Sequence, residues 1–251
     1  MTKLQFSLTR TMVCALIGLT ALTTSALADD DLRVTVFQPN SRSAAVALSA
    51  ADWTANWWQW VFQTPNSVNP NLDTTGAYCG VGQWGPVFYL SGGGGVINRT
   101  CTVPAGKVLF FPIINVDCSS IEAPPFRGRD EAEMKSCVKS WMNGLVPSSL
   151  KLTIRSTDGN RPVDISVPNL DQFEARSPVF TFILPPDNQF GLPAGTPAVA
   201  MSDGIWVMLR LPPGRYTVHF EGKILPPGAP DTNIQNVTYY LTVLGSDLID
   251  D

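Results

Sequence analysis

Three aspartates are the residues of this chain best placed to do chemistry. Asp73, Asp117 and Asp203 each lie beside an apolar strand or an aromatic loop. Glycosidic cleavage uses two carboxyl groups at a separation that depends on the stereochemical course, so two of the three would have to converge in space. Turn capping is the competing role for each, and Asp203 stands in a Ser202-Asp203-Gly204 segment that reads as a turn. The single histidine, His219, has Glu221 two residues on and falls on the wet side of an alternating strand. Members of a catalytic triad need only meet in space, but there is no G-x-S-x-G nucleophile elbow. Zinc or copper centres draw on more than one imidazole, so no metal site is expected. The glycine run Gly92–Gly95 lacks the G-K-[ST] of a phosphate-binding loop and reads as a flexible hairpin tip. No cofactor is expected either. Structural calcium on the loop oxygens of Asp187-Asn188 or Asp158-Gly159-Asn160 is the remaining cation chemistry, and neither segment matches an EF-hand.

Cysteine and tryptophan carry the next signals. Five cysteines are present, and Cys14 lies within an N-terminal apolar run. That leaves Cys79, Cys101, Cys118 and Cys137, an even number that in an exported chain indicates disulfides. Three pairings are open. Sequence neighbours, Cys79–Cys101 and Cys118–Cys137, are the expected choice, each closing a loop of about 20 residues worth roughly 3 kcal/mol in the chain-entropy picture. Trp53, Trp57 and Trp60 fall within about 60° of one another on a helix, which predicts a core-facing stripe. Trp58 and Phe62 widen the apolar band to about half the helix and are hard to bury with the rest. An exposed Trp58 would offer a stacking platform for a sugar ring or another planar ligand. Tyr78, Gln83 and Trp84, in a loop anchored by Cys79, could extend that surface, with Asn115 and Asp117 as polar partners.

Export is written at the N-terminus. Lys3 and Arg10 precede an apolar run over residues 11–23, and Ser25-Ala26-Leu27-Ala28 supplies small residues for a signal peptidase. Cleavage after Ala28 leaves residues 29–251 as one domain. The run is too short to anchor in a bilayer, and no later segment is an expected membrane span. Without Lys3 and Arg10 the formal charge falls from −4 to −6, and the acids at both ends account for the excess. A neutral body with no basic stripe argues against nucleic-acid binding. Oligomeric state has no signature here.

The elements that must hold these groups are mostly strands. Ser49 caps a helix whose face carries the tryptophans and which Pro65 ends. A second helix is expected over about 130–143, opened by Asp130, Glu131 and Glu133. Residues 151–167 read as a hairpin around Asp158-Gly159. Residues 215–221 and 237–243 alternate cleanly, which means one buried and one wet face. Residues 179–184 and 205–211 are more continuously apolar and read as inner strands. Pro112, inside Phe110-Phe111-Pro112-Ile113-Ile114, predicts a bulge or an edge. Short strands and frequent turns predict a mainly β fold, an antiparallel β-sandwich of the immunoglobulin-like or jelly-roll kind, with two short helical insertions.

Several segments together, Asp52-Trp-Thr-Ala-Asn-Trp-Trp-Gln-Trp60, Tyr78-Cys-Gly-Val-Gly-Gln83, Gly85-Pro-Val-Phe-Tyr-Leu90, Cys101-Thr-Val-Pro-Ala-Gly-Lys107 with its Leu-Phe-Phe-Pro-Ile-Ile-Asn115 continuation, and Pro213-Gly-Arg-Tyr-Thr-Val-His-Phe220, make a pattern. The chain resembles an uncharacterised family of exported bacterial proteins over most of its length after the signal. The resemblance implies a bacterial exported domain and no particular activity. The functional expectation is a non-catalytic domain that binds a glycan or an envelope component. A carboxylate-dependent hydrolase and a purely structural envelope domain are the alternatives.

Overall fold

A computed structural model describes residues 33–38, 48–156, 163–225 and 234–245. Residues 1–32, where the export signal is expected, and Asp158-Gly159-Asn160 lie outside the described residues. The fold is mainly β, a sandwich of two open sheets with two helical insertions, as the alternation predicts.

The first sheet contains β1 (Thr35–Phe37), β2 (Val87–Tyr89), β4 (Val108–Ser119), β7 (Phe180–Ile183) and β8 (Pro197–Arg210). At its centre β4 and β8 run antiparallel from Val108↔Arg210 to Ser119↔Ala200. The second sheet has the order β3 (Gly95–Val103), β10 (Ile234–Val243), β9 (Gly214–Lys223), β5 (Lys151–Ser156) and β6 (Val163–Ser166). Two pairings, β2 with β4 and β3 with β10, are parallel, and the rest are antiparallel. Parallel neighbours need long connections. The chain supplies them by sending β3 to the other sheet between β2 and β4 and by keeping β10 until last.

β4 and β8 are buried along almost their whole length, because the first sheet is covered on both faces. On one side Leu109, Phe111, Val116, Ile205, Val207 and Leu209 meet Leu152, Val218, Phe220, Val237 and Tyr239 of the second sheet. On the other side Val108, Phe110, Ala198, Ala200 and Trp206 pack under the tryptophan helix. The register of β4 against β8 shifts between Pro112 and Ile114, the bulge that Pro112 predicts. It lets a proline that cannot donate occupy a central strand.

The tryptophan helix, α1 (Ala50–Gln63), opens on a capping box: Asp52 N–H donates to Ser49 Oγ, and Ser49 N–H donates to the Asp52 carboxylate. Trp53, Trp57 and Trp60 are buried as their spacing predicts. Trp57 Nε1 donates to Leu90 O at 3.0 Å, and Trp60 Nε1 donates to Val81 O at 2.9 Å. The second helix, α2 (Glu131–Met142), is capped by Asp130 and sends Met134, Val138 and Trp141 into the inter-sheet core. Disulfides join Cys79 to Cys101 and Cys118 to Cys137, the neighbour pairing. The second bridge ties α2 to β4. Among the described residues, no helix is long and apolar enough to cross a membrane.

Candidate functional site

β4 leaves the sheet carrying Asp117 two residues before its end. Register decides where that side chain goes. Asp117 lies opposite Ser202, and Val116 lies opposite Asp203. Successive strand residues point to opposite faces. Asp203 therefore shares the face of Val116, which looks into the sandwich, and Asp117 shares the face covered by α1. The bilateral carboxylate pair that a hydrolase would need from Asp117 and Asp203 is thus divided by the sheet itself.

Asp203 is fully buried within β8, not in a turn. It accepts from Arg176 Nε at 2.7 Å and from the Gly204 N–H at 2.9 Å. Burial raises its carboxyl above the usual range, and Arg176 works in the opposite direction. Asp73 does cap a turn: it accepts from the Thr75 N–H and hydroxyl and from the Tyr78 N–H at 2.6–3.0 Å. Slight burial opposes its charge, but these donors outweigh it and hold the carboxyl low.

Asp117 finds a different acid. After β4 the chain turns at Ser119, whose Oγ accepts from the Glu122 N–H at 3.2 Å, and Glu122 comes back within hydrogen-bonding reach of Asp117. Asp117 is 7% exposed. Its Oδ2 and Glu122 Oε2 are buried and lack any donor among the described residues. Burial raises both carboxyls, and for Asp117 the charge of Glu122 adds to the effect. Two acids this close, with Asp117 buried, hold one proton or one cation between them more readily than two negative charges.

The pair lies in a pocket of about 540 Å³, within the size range of small-ligand sites. Trp58 and Phe62 of α1 form one wall, and Phe190 and Leu192 of the β7–β8 connection form another. Asn71 and Gln189 add side-chain amides, and Ile121 and Ala123 flank Glu122. Trp58 is half-buried: its ring lies tilted against Phe62 with centroids 4.9 Å apart and meets the edge of Trp57 at 5.1 Å. The expected difficulty of burying Phe62 does not arise, because Phe182 and Phe190 close over it at 4.5 and 5.5 Å. Trp58 is accordingly one wall of a concave site, not a free-standing platform. Its Nε1 is buried without an acceptor.

The other expected binding residues lie elsewhere. Gln83 is committed to its own loop: Nε2 donates to Cys79 O and Tyr89 O, and Oε1 accepts from Tyr89 N–H, at 2.8–2.9 Å. Tyr78 and Trp84 are exposed, 40% and 66%, and neither lines the pocket. Asn115 accepts from Gln235 Nε2 at 3.4 Å, away from Trp58. Asp187 and Asn188, offered above for calcium, already accept from the N–H groups of Ser67, Phe190 and Leu192. Asp158-Gly159-Asn160 lies outside the described residues. No cluster of three or more His, Cys, Asp or Glu is placed to hold a metal ion among the described residues.

Two further features were not anticipated. Arg99 is buried under the glycine run: its guanidinium donates to the carbonyls of Asp73, Ser91 and Gly92. The run is therefore a lid on a buried cation, not a free tip. On the outer face of the second sheet, His219 joins Thr238 Oγ1 at 3.0 Å to Glu221 at 2.9 Å, and Lys151 donates to the same carboxylate at 2.7 Å. This line has the order of a catalytic triad but crosses an open sheet face. Nearby, Tyr240, Arg155 and Arg215 line a smaller hollow of about 370 Å³.

Glu122, Asn71 and Gln189 have no sequence signature. Glu122 is five residues from Asp117 in a stretch whose turn becomes visible only once β4 is known to end at Ser119. Comparison with known proteins finds no matching family model, no matching curated protein and no matching solved structure.

Proposed function

We propose that this chain is an exported bacterial domain that binds a polyhydroxylated ligand, a glycan or glycan-bearing envelope component, in the pocket between α1 and the end of β4. The observation that carries this reading is that Trp58 of α1 and Asp117 of β4, the strand whose face α1 covers, line one cavity. Aromatic walls suit the apolar faces of a sugar ring. The carboxyl pair and the amides of Asn71 and Gln189 suit its hydroxyls, and a few fixed polar groups in an apolar pocket set ligand orientation. The two disulfides are compatible with an oxidising compartment.

Cleavage is the weaker reading. Glycosidases separate their carboxyls by roughly 5 Å or more to admit the glycosidic carbon or a water. Asp117 and Glu122 are within hydrogen-bonding reach. A purely structural role is weaker too, because buried oxygens without donors cost stability that a structural domain gains nothing by keeping.

The test is retention of the purified mature protein on a panel of immobilised or soluble glycans, including peptidoglycan fragments. Wild-type protein and a Tyr240→Ala control should be retained by at least one glycan, and Trp58→Ala should not. Retention of Trp58→Ala equal to wild type, or no retention of wild type on any glycan, would sink the reading.

A further inference from the structure

The pocket contains more unpartnered oxygen than a sugar site requires. Asp117 is more than nine-tenths buried and lines the cavity, yet its Oδ2 has no donor among the described residues. Glu122 is only partly buried and its carboxyl also faces donors of Ser119, but its Oε2 likewise has no donor among the described residues. No lysine, arginine or histidine lines the pocket. Asn71 and Gln189, whose side-chain amides each carry a carbonyl oxygen, complete the polar lining. Hydroxyls of a neutral ligand could donate to these carboxylates, but they would not remove the repulsion between two adjacent negative charges. A cation would.

We propose that the Asp117–Glu122 pair holds a hard divalent cation of the calcium type, with the amide oxygens of Asn71 and Gln189 available as further ligands. Oxygen-only donors, with mixed carboxylate and amide character, suit calcium, which accepts flexible geometry and fills its remaining positions with water or ligand hydroxyls. The set holds no thiolate or imidazole, so it does not favour zinc or copper. With only two carboxylates the affinity belongs to the weak end of the calcium range. This inference rests on the pocket described above and deepens the glycan reading: a bound cation with open positions would take the ligand's vicinal hydroxyls directly.

The probe is terbium, which replaces calcium and emits when a nearby indole transfers excitation to it. Trp58 stands on the wall of the same pocket. Chelator-stripped mature protein should show terbium emission that saturates at one ion per chain and is displaced by calcium. Asp117→Asn and Glu122→Gln should each weaken terbium binding by about tenfold or more. Both remove charge from a repulsive pair, so neither is expected to unfold the protein, which thermal unfolding of each variant checks. Calcium should raise the melting temperature of wild type and not of Asp117→Asn. Trp58→Phe should dim the emission while keeping the calcium-dependent rise in melting temperature.

Absence of saturable emission, or emission of the same affinity in Asp117→Asn, overturns the proposal. So does a pair that responds to pH alone, with melting temperature unaffected by calcium at any pH, which would leave a proton between the two acids. Glycan retention measured in parallel separates the two claims. Retention in chelator without terbium binding leaves the glycan reading intact and overturns the cation. Terbium binding without retention on any glycan supports the cation and overturns the glycan reading.

Discussion

The carboxyl groups of Asp117 and Glu122 stand within hydrogen-bonding reach of each other in a pocket whose lining includes no basic side chain. Both hold their protons more tightly in the folded chain than in the unfolded one, first because of burial and, for Asp117, because of the neighbouring charge. A raised carboxyl makes the folded state bind more protons than the unfolded state. Its contribution is therefore most favourable on the acid side and is lost as pH rises from the ordinary carboxylate range through the raised values. In chelator, the stability difference between Asp117→Asn and wild type should widen from pH 5 to pH 8 in favour of the variant. At pH 8 the gain should be about 1–3 kcal/mol, the cost of a buried polar group left unpaired. Urea unfolding of both proteins at the two pH values measures it, and a difference that does not change with pH would contradict it.

Asp203 presents the opposite case, a buried acid whose cation is present. Its salt bridge to Arg176 closes at 2.6 Å, with the arginine side chain about a third exposed. Removing the cation leaves the charge buried, so Arg176→Ala should cost about 3–5 kcal/mol. Adding Asp203→Asn should recover part of that loss, since the uncompensated charge goes with it. A double-mutant cycle by equilibrium unfolding reads the coupling directly. Asp203→Asn alone should leave glycan retention unchanged, because Asp203 lies on the opposite face of the sheet from Trp58.

How far these sites could be foreseen depends on the kind of signal each residue leaves. Trp53, Trp57 and Trp60 repeat at helical spacing, and residues 215–221 alternate at strand spacing, so both faces were legible. Pro112 announced its bulge because a proline in a central strand has few other solutions. Asp203 was misread, since Ser-Asp-Gly has turn chemistry. Here the N–H groups of Ala175 and Ser177 bond to β8 at Gly204 and Ser202, and with Arg176 they pay for burying those polar residues in a strand. That partnership spans about thirty residues and leaves no local trace. Glu122 and Phe190 reach the pocket through loops, where position depends on the strands they leave and not on any periodicity.

The Cys118–Cys137 bridge closes the segment that carries Glu122. Its loop spans 19 residues in sequence, which corresponds to about 3 kcal/mol of loop-closure entropy. Replacing both cysteines by serine should lower stability by that order. Amide exchange should also accelerate over residues 120–127, where the chain returns to β4 through the Ser119–Phe126 and Gly128–Ser119 backbone bonds. Unchanged exchange there, with global stability lowered, would mean that the turn is held by those hydrogen bonds alone.

Gln83 and Trp84 are neighbours with opposite expectations. Gln83 makes three hydrogen bonds to backbone groups of Cys79 and Tyr89. At about 1 kcal/mol net for each, Gln83→Ala should cost roughly 2–3 kcal/mol, and the loss should appear as loosening of the loop between Cys79 and β2. Trp84 is two-thirds exposed, so Trp84→Ala should change stability by no more than about 0.5 kcal/mol. Neither side chain lines the Trp58 pocket, so glycan retention should survive both substitutions once the Gln83 variant is compared at a temperature where it is folded. If Trp84→Ala abolished retention while Trp58→Ala preserved it, the ligand would bind at the exposed loop, and the pocket beside Asp117 would have lost its claim to be the binding site.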